Sequence, residues 1–401
     1  MSNSKIKQIP EDFSVEELTE TLPSGHGGFS LYSLKKKGST TPDAIQRIQK
    51  SWKLESRQIS FGGLKDKHAV TTQFFSIKNG PKKNLDLSDV VVKYLGEISG
   101  PYDASHLAGN RFGIIIRNIN SDQAKKTDSI IQDLPGTGIP NYFDDQRFGS
   151  IDSLKTEFIA KKMILGDFEQ ALKIALTSPY THDNKMAKKE KSLLIQKWGD
   201  WAGLKNVLPR GHSRTLVEYL SFNPQDFKGA AERLRPELGG MYVTAYQSYL
   251  WNNILARWIN INFTQSEIFL IKLKLGLYPG VRFASVANIK IMEESFIPLP
   301  SSRLKMTEND PFFKIINEVM AVEGLTLEEM KISGTRKLFF SKGERKAFYF
   351  PVNINHEVLD DQFNKGKKAV RIRFDLPKGA YATLLIKCLQ TLFWNNSDLH
   401  L

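Results

Sequence analysis

The spacing of apolar residues divides the chain into three textures. Thr41-Pro42 reads as an N-cap with proline at the first helical position. In the AIQRIQKSW that follows, Ala44, Ile45, Ile48 and Trp52 fall on one face, which predicts a helix over 42–53. Strand patterns come next at 72–78, 91–98 and 111–119, the last (RFGIIIRNI) β-branched enough for a buried strand. From about 151 the period lengthens to that of helices, in IDSLKTEFIAKKMIL, DFEQALKIAL, KEKSLLIQKW and YVTAYQSYLWNNILARWI. From about 338 strand patterns return in KLFFS, KAFYFPVNI and AVRIRFDL. In the last, Val370, Ile372 and Phe374 alternate with Arg371, Arg373 and Asp375, as a half-buried strand requires. PKGAYATLLIKCLQTLF then predicts a helix opened by Pro377 and Gly379. β-rich ends around a helical middle predict one α+β domain interrupted by a mostly helical insertion.

Composition narrows the partners. A chain of 401 residues suits two domains. No run of eighteen apolar residues predicts a membrane span, and MSNSKIKQIPEDF lacks the apolar stretch of a signal peptide. The single cysteine, Cys388, excludes an intramolecular disulfide and a thiolate-rich zinc site, and fits a cytoplasmic protein. Lys and Arg number 56 against 43 Asp and Glu, a net +13, which favours a polyanionic partner. The surplus is clustered: residues 31–67 hold nine basic and three acidic residues, and 365–373 (KGKKAVRIR) hold five basic and none acidic. A basic surface kept for solubility is the plainer reading. The 25 Phe and 12 Tyr, which offer stacking faces for bases, tip the balance to nucleic acid.

Common catalytic motifs fail. There is no phosphate-binding G-x-x-x-x-G-K-[ST], no G-x-G-x-x-G after a strand, no H-E-x-x-H and no G-x-S-x-G, and the seven histidines form no metal-spaced pair. Three stretches remain. In FGGLKDKHAVTTQ (61–73), glycines allow close backbone approach, and Lys65 and Lys67 flank Asp66 and favour its ionised form. Locally, a turn-closing aspartate explains the stretch as well. NYFDDQRFG (141–149) sets an amide and three aromatics beside an arginine, which suits a base-reading pocket or a loop anchored in a core. LPKGAYATLL (376–385) is locally a helix start.

Together these stretches resemble the TruD family of tRNA pseudouridine synthases. The resemblance rests on Pro10–Phe13 (PEDF), Gly63–Gln73 (GLKDKHAVTTQ), Gly109–Phe112 (GNRF), Asn141–Gly149 and Leu376–Thr383, in order, with Ala245–Asn252 (AYQSYLWN) between. It implies a catalytic domain with a central antiparallel or mixed sheet over 1–160 and 340–401, and an RNA-binding insertion over 161–339. It implies an isomerase that detaches uracil from ribose C1′ and rejoins it through C5, on uridine 13 in the D arm of tRNA, using neither cofactor nor metal. The tRNA would lie in a basic cleft, and no protein partner is inferred. By motif position Asp66 is the catalytic carboxylate, with Lys7 as its ion-pair partner. Phe13, Asn141, Phe143 and Tyr381 are substrate-binding: Asn141 for a uracil edge or for Asp66, Phe143 for the flipped base. Asp144 stands where the family usually has glycine, which raises the question of a positive φ there. Two other readings stay open: an inert RNA-binding protein or RNA chaperone on the same fold, and a two-carboxylate hydrolase using Asp66 with Asp144 or Asp145.

Overall fold

The computed structural model describes residues 4–151, 157–180, 183–282, 284–335 and 337–394. Its contacts form two compact units, one of residues 1–139, 284–289 and 349–401, the other of 140–283 and 290–348. Residues 140–160 and 340–348, expected with the catalytic domain, therefore group with the helical unit.

The first unit is built on a nine-stranded mixed sheet. Its strands are β1 (Phe13–Thr19), β2 (Phe29–Lys37), β3 (Ile59–Phe61), β4 (Val70–Lys78), β5 (Leu85–Asp86), β6 (Val90–Ile98), β7 (Leu107–Ile119) and the hairpin Val352–Asp360/Lys368–Pro377. The hairpin forms one edge, with Val352–Asp360 outermost. Lys368–Pro377 pairs β7, and β1, β4, β2, β6 and β5 follow, while β3 pairs β4. All these pairings are antiparallel except β1 with β4, where Ser14 faces Val70. The parallel pair fixes the site, because it brings the segments preceding both strands to the same end of the sheet.

The predicted helix forms as α1 (Thr41–Trp52), and its apolar face packs Ala44, Ile45 and Ile48 against Tyr32, Leu34, Phe75, Ile77, Val90 and Val92. The cap lies one residue earlier than expected. Thr40 Oγ1 accepts from Asp43 N, and Thr41 instead turns its buried hydroxyl into the core. In Lys368–Pro377, Val370, Ile372 and Phe374 are buried as expected, and Phe374 stacks on Phe112 at 5.5 Å; Asp375, expected on the solvent side, is buried as well and pairs with Arg111 at 2.8 Å. The closing helix begins at Ala382, after Pro377 has ended the strand.

The second unit is mostly helical, as expected, with Phe168–Thr177, Lys185–Gln196 and the long Pro236–Asn262 among its helices. The first expected helix is shorter, Ile159–Ile164, and residues 152–156 of it lie outside the described residues. A hairpin, Ile268–Leu273/Gly276–Val281, and an antiparallel pair of distant segments, Phe296–Pro298 with Glu344–Lys346, were not anticipated. KLFFS is not a strand. Leu338 and Phe340 are buried, so its apolar spacing serves packing without a ladder.

Candidate functional site

In the first unit the loop 61–69 leads into β4 and carries Asp66. Its backbone is fastened from beneath. Gln73, fully buried on β4, donates from Nε2 to Gly63 O at 3.1 Å and accepts from Thr41 Oγ1 at 2.8 Å. Thr41 Oγ1 also accepts from Lys65 N at 2.9 Å. Of the two glycines, Gly62 is needed for space, since a Cβ there would stand 3.2 Å from Tyr102 and 3.3 Å from the Asp103 carbonyl. Gly63 faces open space.

Lys65 does not serve Asp66 as its position suggested. It turns inward to Glu17 Oε1 at 2.7 Å, and the two side chains are 9 % and 0 % exposed. The charge beside Asp66 comes from Lys7, whose Nζ lies 2.5 Å from Asp66 Oδ2. His68 N donates to Oδ1 at 3.0 Å. Burial opposes the ionised form of Asp66. The bond from Lys7, the His68 amide and the charges of both residues outweigh it, so the carboxyl is held below its ordinary value. Asp66 nevertheless keeps 36 % of its side chain exposed, so the acid is both ionised and reachable.

Lys7 reaches this position because its strap is pinned. Its backbone is left-handed, at φ 56°, an uncommon conformation for a residue with a Cβ. Lys5 forms a bridge to Arg117 on β7. Asp12, fully buried, accepts from Gln8 N at 3.1 Å and Ile9 N at 3.2 Å and is gripped by Arg117 at 2.6 Å. Arg117 also reaches Asp361 at 3.4 Å. Phe13 is 5 % exposed, and Lys7 Nζ lies 4.0 Å from its ring centroid, a cation–π contact. Lys7 thus pairs with Asp66 as expected, and Phe13 lies beside them. Tyr381 stands just before the closing helix, where its carbonyl accepts from Tyr349 OH at 3.0 Å and Leu384 N at 3.1 Å.

In the second unit the loop 141–149 is nailed down at nearly every residue. Asn141 N donates to Ala347 O, and its Nδ2 to Lys346 O at 2.9 Å. Arg345 donates to Asn141 O at 2.9 Å and to Oδ1 at 2.5 Å. Asn252 clips the Phe143 peptide from both sides, accepting from its N–H at 2.8 Å and donating to its carbonyl at 2.9 Å. This accounts for the AYQSYLWN stretch: Trp251 packs edge-on to Phe143 at 5.5 Å, and Gln247 donates to Pro300 O and Ser341 O. Arg345 covers the Phe143 ring at 4.3 Å and Arg147 lies at 5.4 Å, leaving Phe143 9 % exposed. Asp144 sits at φ −84°, so no positive φ is required. Its Oδ1 accepts from Asp145 N at 2.8 Å, the role of a cap.

The basic strip 31–67 is less of a surface than its composition suggested. Lys36 and Lys65 are turned inward, while Lys37, Arg47 and Arg57 pair with Glu11, Asp89 and Glu55. Lys35, Lys50, Lys53 and Lys67 remain exposed. In the second strip Lys368 pairs Asp360 and Arg371 pairs Glu357. Among the described residues no helix is long and apolar enough to cross a membrane.

Local sequence pointed to Asp66 and the 141–149 loop but missed Asp12, Glu17, Lys36, Arg117, Asn252, Arg345 and Asp361. These act through partners far away in the chain, as Arg117 does through Asp12 and Asp361, and such pairs leave no periodic trace. Of these, Asp12 and Asn252 lay inside quoted family motifs.

The α+β architecture is shared with a solved structure from a tRNA-modifying family. The crystal structure of the "Putative tRNA pseudouridine synthase D (TruD)" from Methanosarcina mazei superimposes with a TM-score of 0.72 at 25% identity, over 97% of this chain and 93% of that one. The Methanococcus maripaludis protein named "Probable tRNA pseudouridine synthase D 1" is 32% identical, over 96% of this chain and 98% of its own. The tRNA pseudouridine synthase D of Aquifex aeolicus is 29% identical, over 96% and 97%. The family model described as tRNA pseudouridine synthase D (TruD) matches residues 2–389. The chain belongs to this family, a family of isomerases.

Proposed function

We propose that this chain isomerises uridine to pseudouridine in tRNA, at position 13 of the D arm, with Asp66 as the catalytic carboxylate. One observation carries the reading: Asp66 is paired with Lys7 and kept ionised, yet stays open to solvent. A carboxylate held for structure alone would be shut away from solvent, as the side chains of Asp12 and Asp361 are.

The reaction breaks the N1–C1′ bond, turns the uracil, forms C5–C1′ and releases the C5 proton. Asp66 attacks C1′ or removes a sugar proton, and either step requires the anion. Lys7 holds that anion in place, and its ammonium is braced on the Phe13 face. Tyr381 contributes to the substrate pocket. The target base must leave its stack, at a cost of a few kcal/mol.

Asn141 reads the base. A carboxamide offers two N–H donors and an acceptor oxygen with two lone pairs. Lys346 O and Arg345 take one of each, leaving one donor and one acceptor in a fixed orientation, the complement of a uracil edge. Phe143, backed by Trp251 and covered by Arg345, offers a rigid aromatic and cationic face to the base.

The test is tritium release from tRNA transcripts labelled at uridine C5, followed by mapping of the modified position. Release, with pseudouridine at position 13, is expected. Pseudouridine at another position overturns the assignment of the target. No release from any tRNA overturns the activity.

A further inference from the structure

Lys36, near the end of β2, is 1 % exposed, and a lysine is rarely so buried without a carboxylate partner. Its ammonium donates to three backbone carbonyls instead: Ser39 at 2.7 Å, Asp66 at 2.9 Å and Lys65 at 3.3 Å. Three acceptors match the three N–H bonds of an ammonium, and a neutral amine would set its lone pair against a carbonyl oxygen. Two of the three carbonyls belong to Asp66 and the residue before it. The buried charge therefore lies directly behind the residue that carries the reactive carboxylate.

We propose that Lys36 is a positioning residue for the reaction: it fixes the Lys65–Asp66 backbone from inside the fold and supplies a buried positive charge that helps keep the Asp66 carboxylate ionised. This rests on Asp66 being the catalytic acid.

The surrounding charges agree with this reading. Burial works against the ammonium and lowers its pKa, the Asp66 charge supports it, Lys65 opposes it and Asp43 supports it. Attraction between two charges is mutual, so the support that Asp66 gives Lys36 is returned to Asp66. Lys65 is neutralised by Glu17, and Lys7 and His68 act on the other side of the carboxylate. Lys36 is thus a cation aimed at Asp66 from within the fold, where solvent screens least. Glu17 accepts from Phe74 N at 2.8 Å, which ties the floor beneath the loop to β4 and leaves Lys36 little freedom to yield.

The experiment measures single-turnover isomerisation at saturating tRNA, and tRNA binding, across pH 5–8 for wild type, Lys36→Met, Lys36→Gln and Asp66→Asn. Lys36→Met is expected to lower the rate about 10- to 100-fold, the scale of a misplaced catalytic group, with RNA binding unchanged. Its acid limb is expected to move to higher pH. Lys36→Gln, which still donates hydrogen bonds but carries no charge, is expected to recover part of the rate while keeping the shifted limb. It carries the test alone if Lys36→Met does not fold. A wild-type rate and limb in both variants overturns the proposal, as does a slower rate with an unmoved limb, which would mark Lys36 as merely structural. An active Asp66→Asn overturns the assignment of Asp66 itself, an outcome distinct from the failure of Lys36.

Discussion

The loop around Asp66 and the loop 141–149 solve opposite problems. In the first, the backbone is held by Gln73, Thr41 and Lys36, and the functional carboxylate is left partly outside, touched only by groups that favour its charge. In the second, side chain and backbone alike are held: Asn141 by Arg345 and Lys346 O, which engage half of its carboxamide, and Phe143 by Asn252, Trp251 and Arg345. The difference fits the roles proposed for the two loops. A group that reacts must remain reachable, and its order has to come from its neighbours. A surface proposed to read a base needs fixed orientation, so some of its own polar atoms can hold it still while the others face the base.

Breaking the first design should cost most. Arg117→Met strips the guanidinium from Asp12 and Asp361, whose side chains are fully buried, and should destabilise the first unit by about 3–5 kcal/mol, since it leaves buried charges unpaired. Urea unfolding measures this, and the Lys7 strap should open with it. Lys7→Met leaves the fold intact but removes the cation that holds Asp66. The rate should fall about 10- to 100-fold, and the pH profile shows why. In wild type the Asp66 pKa is lowered, so activity should hold until pH drops below the usual carboxylate range. Without Lys7 the acid limb moves to higher pH. The same sign governs stability: what Asp66 contributes is present above its unfolded pKa and lost as pH falls through the lowered folded value.

The second design breaks differently. Asn252→Ala leaves the Phe143 N–H and carbonyl without partners in a buried place, at about 1–3 kcal/mol. Hydrogen exchange should show the loss in the second unit, with the Asp66 loop unchanged. The smallest effect sharpens the contrast. Thr40→Ala removes a helix cap worth about 1 kcal/mol, which a thermal melt detects, and the isomerisation rate should not move.

Much of this was legible in the sequence. The helix over 42–53 and the strand at 369–376 were fixed by period, because each buries one face against a single layer. The Thr40 cap was misplaced by one residue because adjacent threonines look alike, and only Gln73 decides that Thr41 turns inward. The hairpin Ile268–Leu273/Gly276–Val281 is hidden inside a helical stretch, and KLFFS reads as a strand although it forms none, because short apolar runs do not reveal whether a partner strand exists. Asp66 was legible by motif, but the reason for its charge was not. Lys65, one residue away, turns to Glu17, while Lys7, 59 residues away, makes the pair. Asp144 looked like a source of strain and is an ordinary cap.

The central claim is that the exposed, ionised carboxylate of Asp66 performs the chemistry. Asp66→Asn tests it most directly, because the amide keeps the size of the side chain and can neither attack carbon nor take a proton. Tritium release from tRNA labelled at uridine C5, measured alongside tRNA binding, should show full binding and no release. Release at the wild-type rate would contradict the account.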